Sequence, residues 1–225
     1  MSEPSESFTA ATVILLRDGD AGLETLMLRR NSKLDFVGGM WVFPGGRLDP
    51  EDWSGLAEDE LLAASRRAAT REAQEEAGLA VDPDSLVPYS HWTPPPIRLK
   101  RFLTWFFIAP APEGRVRIDG GEIHDSAWMA PAEALRRRDA QEIELAPPTW
   151  VTLYELSGLA DVGTALEHAR ARECEAFSTR IGKVEGGIAA LWHGDAGYET
   201  SDPQVAGARH RLLMLDSGWR YERSR

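Results

Sequence analysis

The first long apolar run, Phe8 to Leu16, is partly β-branched and predicts a strand. Asp18-Gly19-Asp20 predicts the turn after it, and Leu23 to Arg30 the returning strand. Asn31 to Met40, with Gly38-Gly39, reads as a loop. Trp41-Val42-Phe43 is a short strand that stops at Pro44-Gly45-Gly46, where proline fixes φ and two glycines permit a tight turn or a close backbone approach. A polar loop, Asp49 to Gly55, leads into an alanine-rich helix from Asp59 to Ala77, with Gly78 as its natural terminator. Leu86 to Trp92 predicts a strand, and Thr93-Pro94-Pro95-Pro96 a surface loop. Arg101 to Ala109 and Glu122 to Met129 predict two more strands. Helices are expected over Pro131 to Arg138, from Pro147-Pro148 through Leu156, and over Asp161 to Ala176. Gly186 to Trp192 and Arg209 to Leu215 read as two strands joined by a polar loop, Gly194 to Gly207. The order is strands, helix, strands, helices and a small β tail. That is a mixed α/β chain without a repeated βαβ rhythm, which argues against a Rossmann fold. No internal repeat is visible.

Composition narrows the function classes. The 225 residues suffice for one large domain or a domain with an appendage. At 43% hydrophobic residues, the chain can build a core. A formal net charge of −11 argues against non-specific nucleic-acid binding, which needs a basic face. It also requires any anionic substrate to be met by metal ions or local arginines. The lone cysteine, Cys174, excludes an internal disulfide framework and falls in a predicted amphipathic helix, where packing is its expected role. Met1 to Ser7 is acidic and polar, unlike a signal peptide, and the apolar stretch Phe102 to Ala111 is too short to span a bilayer. A cytoplasmic protein without a membrane partner is the expectation. The histidines at 91, 124, 168, 193 and 210 have no paired ligand spacing, which argues against zinc. Ser126 and Ser178 lack the glycines of a nucleophile elbow. Trp41, Trp105 and Trp128 are expected in the core; Trp92, beside the proline-rich loop, is either core or a platform for a base.

The segment Arg71-Glu72-Ala73-Gln74-Glu75-Glu76-Ala77-Gly78-Leu79 carries the most chemistry. Glu72, Glu75 and Glu76 stand at i, i+3 and i+4 of the predicted helix, so their side chains converge within one turn. Like charges at that spacing destabilise a bare helix. Hard oxygen donors on a rigid element suit Mg²⁺ or Mn²⁺. The alternative is a charged, solvated helix face, which leaves Arg71, Gly78, Leu79 and Phe43 to Gly46 unexplained.

Together with Phe43-Pro44-Gly45-Gly46, this segment resembles the Nudix box, G-x5-E-x7-R-E-U-x-E-E-x-G-U, of the Nudix hydrolase superfamily. Its second half matches at every fixed position. The first half is expanded: Arg71 follows Gly46 by 25 residues where the pattern has 14. Asp52 sits six residues after Gly46, where the pattern has its first Glu; Asp52, Glu58 and Glu60 are all candidates for that acid. The Arg101-Phe102 pair, Leu145 to Trp150 and the β tail are similar to a branch with an expanded box that includes mammalian peroxisomal coenzyme A (CoA) diphosphatases. Arg30 and Gly39 fit that branch's upstream CoA pattern, while Asp35 stands where a second arginine is expected.

The resemblance implies an α/β/α sandwich with a mixed central sheet, formed by residues 1–175, and a small β-rich extension over 176–225 packed on it. It implies a diphosphatase that cleaves a nucleoside diphosphate linked to a group X, giving a nucleoside monophosphate and X-phosphate. The substrate would be CoA or a related small-molecule nucleoside diphosphate derivative. Mg²⁺ or Mn²⁺ would be held by Glu72, Glu75, Glu76 and the Gly45 carbonyl. Arg71 would pair with an acid and orient the box. Glu122 and Glu72 are the rival general bases. Arg30, Arg98 and Arg101 are candidate phosphate contacts, although Arg98, Lys100 and Arg101 equally suit a solubilising strand edge. A homodimer is left open. The competing reading is a Nudix-fold ligand-binding or regulatory module without catalysis; the presence of all three glutamates argues against it.

Overall fold

The computed structural model describes residues 6–32, 38–96, 100–118 and 120–224. Its axis is β1 (Glu6–Gly19), whose alternation sends Ala11, Val13 and Leu15 to one face of a sheet and Ile14 and Leu16 to the other. β2 (Gly22–Arg30) returns antiparallel, in register from Gly19↔Gly22 to Leu16↔Thr25. The hairpin loop is therefore Asp20-Ala21, overlapping the expected turn at Asp20, and Gly22 enters the strand at φ +116°. Beyond that register the two strands part. Into the split go β3 (Trp41–Val42), which pairs with β2, and β4 (Gly45–Arg47), which pairs with β1. The Phe43-Pro44 step crosses between them, and the Val13 N–H donates to the Pro44 carbonyl at 2.9 Å. This split brings the two glycines into the middle of the sheet.

On the other side of β1 lie β6 (Lys100–Pro110), parallel to it, and β5 (Val87–Thr93), antiparallel to β6. β7 (Ile123–Met129) covers the outer side of β2. The sheet is thus mixed, as the resemblance implies. One face carries α1 (Leu61–Ala77), which buries Ala68, Ala69, Ala73 and Ala77 against Ala11, Val13, Leu15, Leu26, Leu28 and Phe107. Alanines let the helix lie close to the strands. Gly78, at φ +67°, ends it in a left-handed cap, with the Leu79 N–H reaching back to the Ala73 carbonyl at 3.2 Å.

The other face is covered by α2 (Pro131–Asp139), α3 (Pro147–Leu156) and α4 (Val162–Arg170). α4 ends six residues earlier than its sequence suggests. The chain is captured by the sheet instead, as β8 (Glu175–Ser178) pairs parallel with β5. The expected boundary at 175/176 thus falls inside a strand of the main sheet. The tail then forms a second, four-stranded antiparallel sheet: β9 (Arg180–Val184), β10 (Gly187–Leu191), β11 (His210–Leu215) and β12 (Gly218–Arg223). It shares one apolar cluster with the main sheet, in which Trp192 and Leu212 meet Trp92, Phe177 and Trp150. Trp92 is accordingly a core residue, stacked on Phe177 at 3.9 Å between ring centres, and is no platform for a base. A bidentate Arg223–Glu175 pair, 2.8 and 2.9 Å, also ties the second sheet to the first.

Candidate active site

Two local devices position the site. The first is the split of β1 and β2, which places Gly45 and Gly46 beside the last turns of α1. The Gly45 N–H donates to Glu76 Oε2 at 2.9 Å, and the Glu72 carboxylate lies against Gly46 so closely that a Cβ there would collide with it. The second is the expanded loop before α1. It folds into a short 3-10 turn, Pro50–Trp53, in which the Asp52 carboxylate accepts the Asp49 N–H at 2.8 Å. Asp52 is buried, and its oxygens receive Arg71 Nη2 at 3.0 Å and Nε at 3.3 Å. Of the three acids that could stand for the first Glu of the box, Asp52 is the one the structure pairs with Arg71.

Arg71 is a hub. It also donates to Glu72 at 2.9 Å, to Glu75 at 3.1 Å and to the Arg47 carbonyl at 2.9 Å. Burial works against its charge, but the Asp52 and Glu72 carboxylates outweigh burial and hold its pKa above the ordinary arginine value. Glu75 is 58% exposed and turned toward Arg71, whereas Glu76 is only 6% exposed. The three glutamates of the box therefore occupy three different environments.

Glu76 is the anomaly. Burial pushes its carboxyl up to about 8; the Gly45 N–H opposes that shift, the nearby Glu72 adds to it, Arg30 opposes it and Glu122 adds to it. Burial likewise raises Glu72, against the pull of Arg71. Glu122 and Arg30 thus belong to the same electrostatic neighbourhood as Glu76. They pair with each other, Arg30 Nη2 to Glu122 Oε2 at 3.1 Å, at the point where the β2–β7 register shifts. Among the described residues, the buried Arg30 Nε has no hydrogen-bond partner.

Of the residues expected at the site, Glu72, Glu76, Gly45, Arg71, Arg30 and Glu122 are brought together, and Glu75 stands at the outer edge. Arg101 is used otherwise: its Nε and Nη2 both donate to the Pro94 carbonyl, at 3.2 and 2.8 Å, bracing the proline-rich loop. Arg98 lies outside the described residues. Sequence reading did not single out Arg67, which reaches the expanded loop through the Ser54 carbonyl at 2.6 Å. Its only signal was its place one turn before Arg71.

Among the described residues, no three carboxylate, histidine or cysteine side chains are already gathered closely enough to enclose an ion. Arg71 draws Glu72 and Glu75 toward itself, and Arg30 draws Glu122. The donor set still fits a hard divalent cation. It is all oxygen, and a carboxylate as buried as Glu76, beside two more, is costly to ionise without a positive charge next to it.

The NUDIX domain family model matches residues 7–149. The acyl-coenzyme A diphosphatase NUDT19 from Gallus gallus is 27% identical over 204 residues, which cover 80% of this chain and 53% of that protein. The chain spans about half the length of that curated relative. A NUDIX hydrolase from Alicyclobacillus acidocaldarius has a crystal structure that superposes with a TM-score of 0.66 at 24% identity, covering 72% of this chain and 96% of the other. That likeness concerns the fold.

Proposed function

This chain belongs to the Nudix family, and from that premise we propose that it hydrolyses the diphosphate linkage of a nucleoside diphosphate joined to a second group, with Mg²⁺ or Mn²⁺ bound. The observation that carries this reading is Glu76: a buried carboxylate held at about 8, beside Glu72 and Glu122, with a glycine N–H as its hydrogen-bond partner. Such a group is poorly suited to fold stability and well suited to a cation.

Glu76, Glu72 and Gly45 would hold the metal, with Glu75 at the rim. A bound divalent ion supplies neutralisation of diphosphate oxygens and a more acidic water. Arg71, locked by Asp52, fixes the orientation of Glu72 and of the loop that carries Gly45. Arg30 offers a guanidinium to a phosphate oxygen through a charge-assisted bond. Glu122, 61% exposed and ion-paired with Arg30, is the proton acceptor for the attacking water, because Glu72 is given to the metal and held by Arg71. The preferred substrate class is CoA and its acyl esters, supported by the similarity to an acyl-coenzyme A diphosphatase and by Arg30 and Gly39.

A substrate panel tests the reading: CoA, an acyl-CoA, ADP-ribose, a dinucleotide and NADH, each with Mg²⁺ and with Mn²⁺. The expected result is diphosphate cleavage, releasing a nucleoside monophosphate from ADP-ribose, the dinucleotide or NADH, and its 3′-phosphorylated form, adenosine 3′,5′-bisphosphate, from CoA or acyl-CoA, with the highest kcat/KM on CoA or acyl-CoA. No turnover on any of them with either metal would overturn it.

A further inference from the structure

We propose that Arg67 is a positioning residue, which clamps the expanded loop so that Asp52 meets Arg71 and Glu72 keeps its aim; this rests on the metal-site reading above. Asp52 keeps its sixth place after Gly46, so the added length lies between Asp52 and Arg71, shared by the connection 53–60 and the first turns of α1. A longer connection costs more entropy to close and tethers its ends less firmly. Asp52 is nevertheless buried and makes two bonds to Arg71.

Two local features compensate for the length. One is the 3-10 turn itself, with the Asp49 N–H bonded to Asp52 Oδ2. The other is Arg67, one helical turn before Arg71 and so on the same face of α1. Its Nη1 donates to the Ser54 carbonyl at 2.6 Å and, over a longer 3.4 Å, to the Asp52 carbonyl. These carbonyls belong to the end of the 3-10 turn, where backbone acceptors lack partners within the turn. The two arginines divide the loop between them. Arg67 holds its backbone and Arg71 takes the Asp52 carboxylate, so Arg71 can still divide its remaining N–H groups between Glu72, Glu75 and the Arg47 carbonyl.

The test is Mn²⁺ affinity, measured by titration of the folded full chain, for wild type, Arg67→Ala, Arg67→Lys, Asp52→Asn and the Arg67→Ala/Asp52→Asn double variant. Arg67→Ala should weaken Mn²⁺ binding about 10- to 100-fold, the range for removing a support behind metal ligands. Arg67→Lys should recover part of the loss, since one N–H donor still reaches Ser54. In the Asp52→Asn background, Arg67→Ala should add nothing further, because the clamp acts through Asp52. Thermal melts identify any variant that has simply unfolded, and amide exchange of residues 48–60 reports the loop directly, rising in Arg67→Ala. Wild-type affinity in Arg67→Ala, or independent losses in the double variant, would overturn the clamp alone. A wild type that binds no Mn²⁺ would instead remove the metal-site reading beneath it.

Discussion

A neutral Glu76 is favoured by the fold, with its pKa near 8 against about 4.3 in an unfolded chain. Between those values the native state binds more protons than the unfolded one, so metal-free stability falls as pH rises, by up to about 1.4 kcal/mol per unit. A divalent ion favours the ionised carboxylate and opposes that loss. Thermal melts should therefore show a larger Mg²⁺-induced rise in Tm at pH 8 than at pH 6, and Glu76→Gln should abolish the difference. Gly46 has no side chain because the Glu72 carboxylate occupies that place. Gly46→Ala should displace Glu72, a flexible side chain, and lower activity while leaving the melting temperature nearly unchanged. Gly45→Ala should behave differently. Its Cβ would meet the backbone of Ala11 and Thr12, so it should break the β1–β4 pairing and lower Tm, as a circular-dichroism melt would show.

At the scale of elements, α1 was legible because several signals agree: a run of alanines, Gly78 as terminator and the spacing of the glutamates. The pairing of Arg71 with Asp52 was legible only as one of three alternatives, since spacing in an expanded loop does not say which acid folds back. The tail was less legible. β9 and β12 carry charges such as Arg180, Lys183, Arg220 and Glu222, which break the apolar run that marks a strand, and only pairing in the second sheet reveals them. Helix α4 was overextended for the converse reason, because pairing of Glu175 to Ser178 with β5 overrides local helical preference. The closeness of α1 to the sheet yields its own expectation. Ala73→Leu would overpack the helix–sheet seam at a cost of about 1–3 kcal/mol. It should lower Tm and activity together, because moving α1 moves Glu72, Glu75 and Glu76.

Across the whole molecule, two sheets share one aromatic and aliphatic core, so the tail is part of what keeps the active-site sheet folded. Trp92, Phe177 and Trp150 are covered partly by Trp192, Leu212 and Trp219 from the second sheet. Each large side chain uncovered forfeits about 1.5–3 kcal/mol, against a typical total stability of about 5–15 kcal/mol. A chain cut after Ser178 should therefore lose its cooperative melt or its solubility, measured by expression and circular dichroism. The central claim is that the buried glutamate of α1 serves a metal-dependent diphosphate cleavage. Its most direct test is cleavage of the diphosphate of an acyl-CoA, followed by release of adenosine 3′,5′-bisphosphate, in wild type and Glu76→Gln with Mg²⁺ and with a chelator. The account predicts turnover only with metal and a fall of about 10³-fold in a Glu76→Gln protein that melts normally, equivalent to several kcal/mol of lost stabilisation. Hydrolysis that persists in chelator, or a folded Glu76→Gln protein turning over at the wild-type rate, would contradict it.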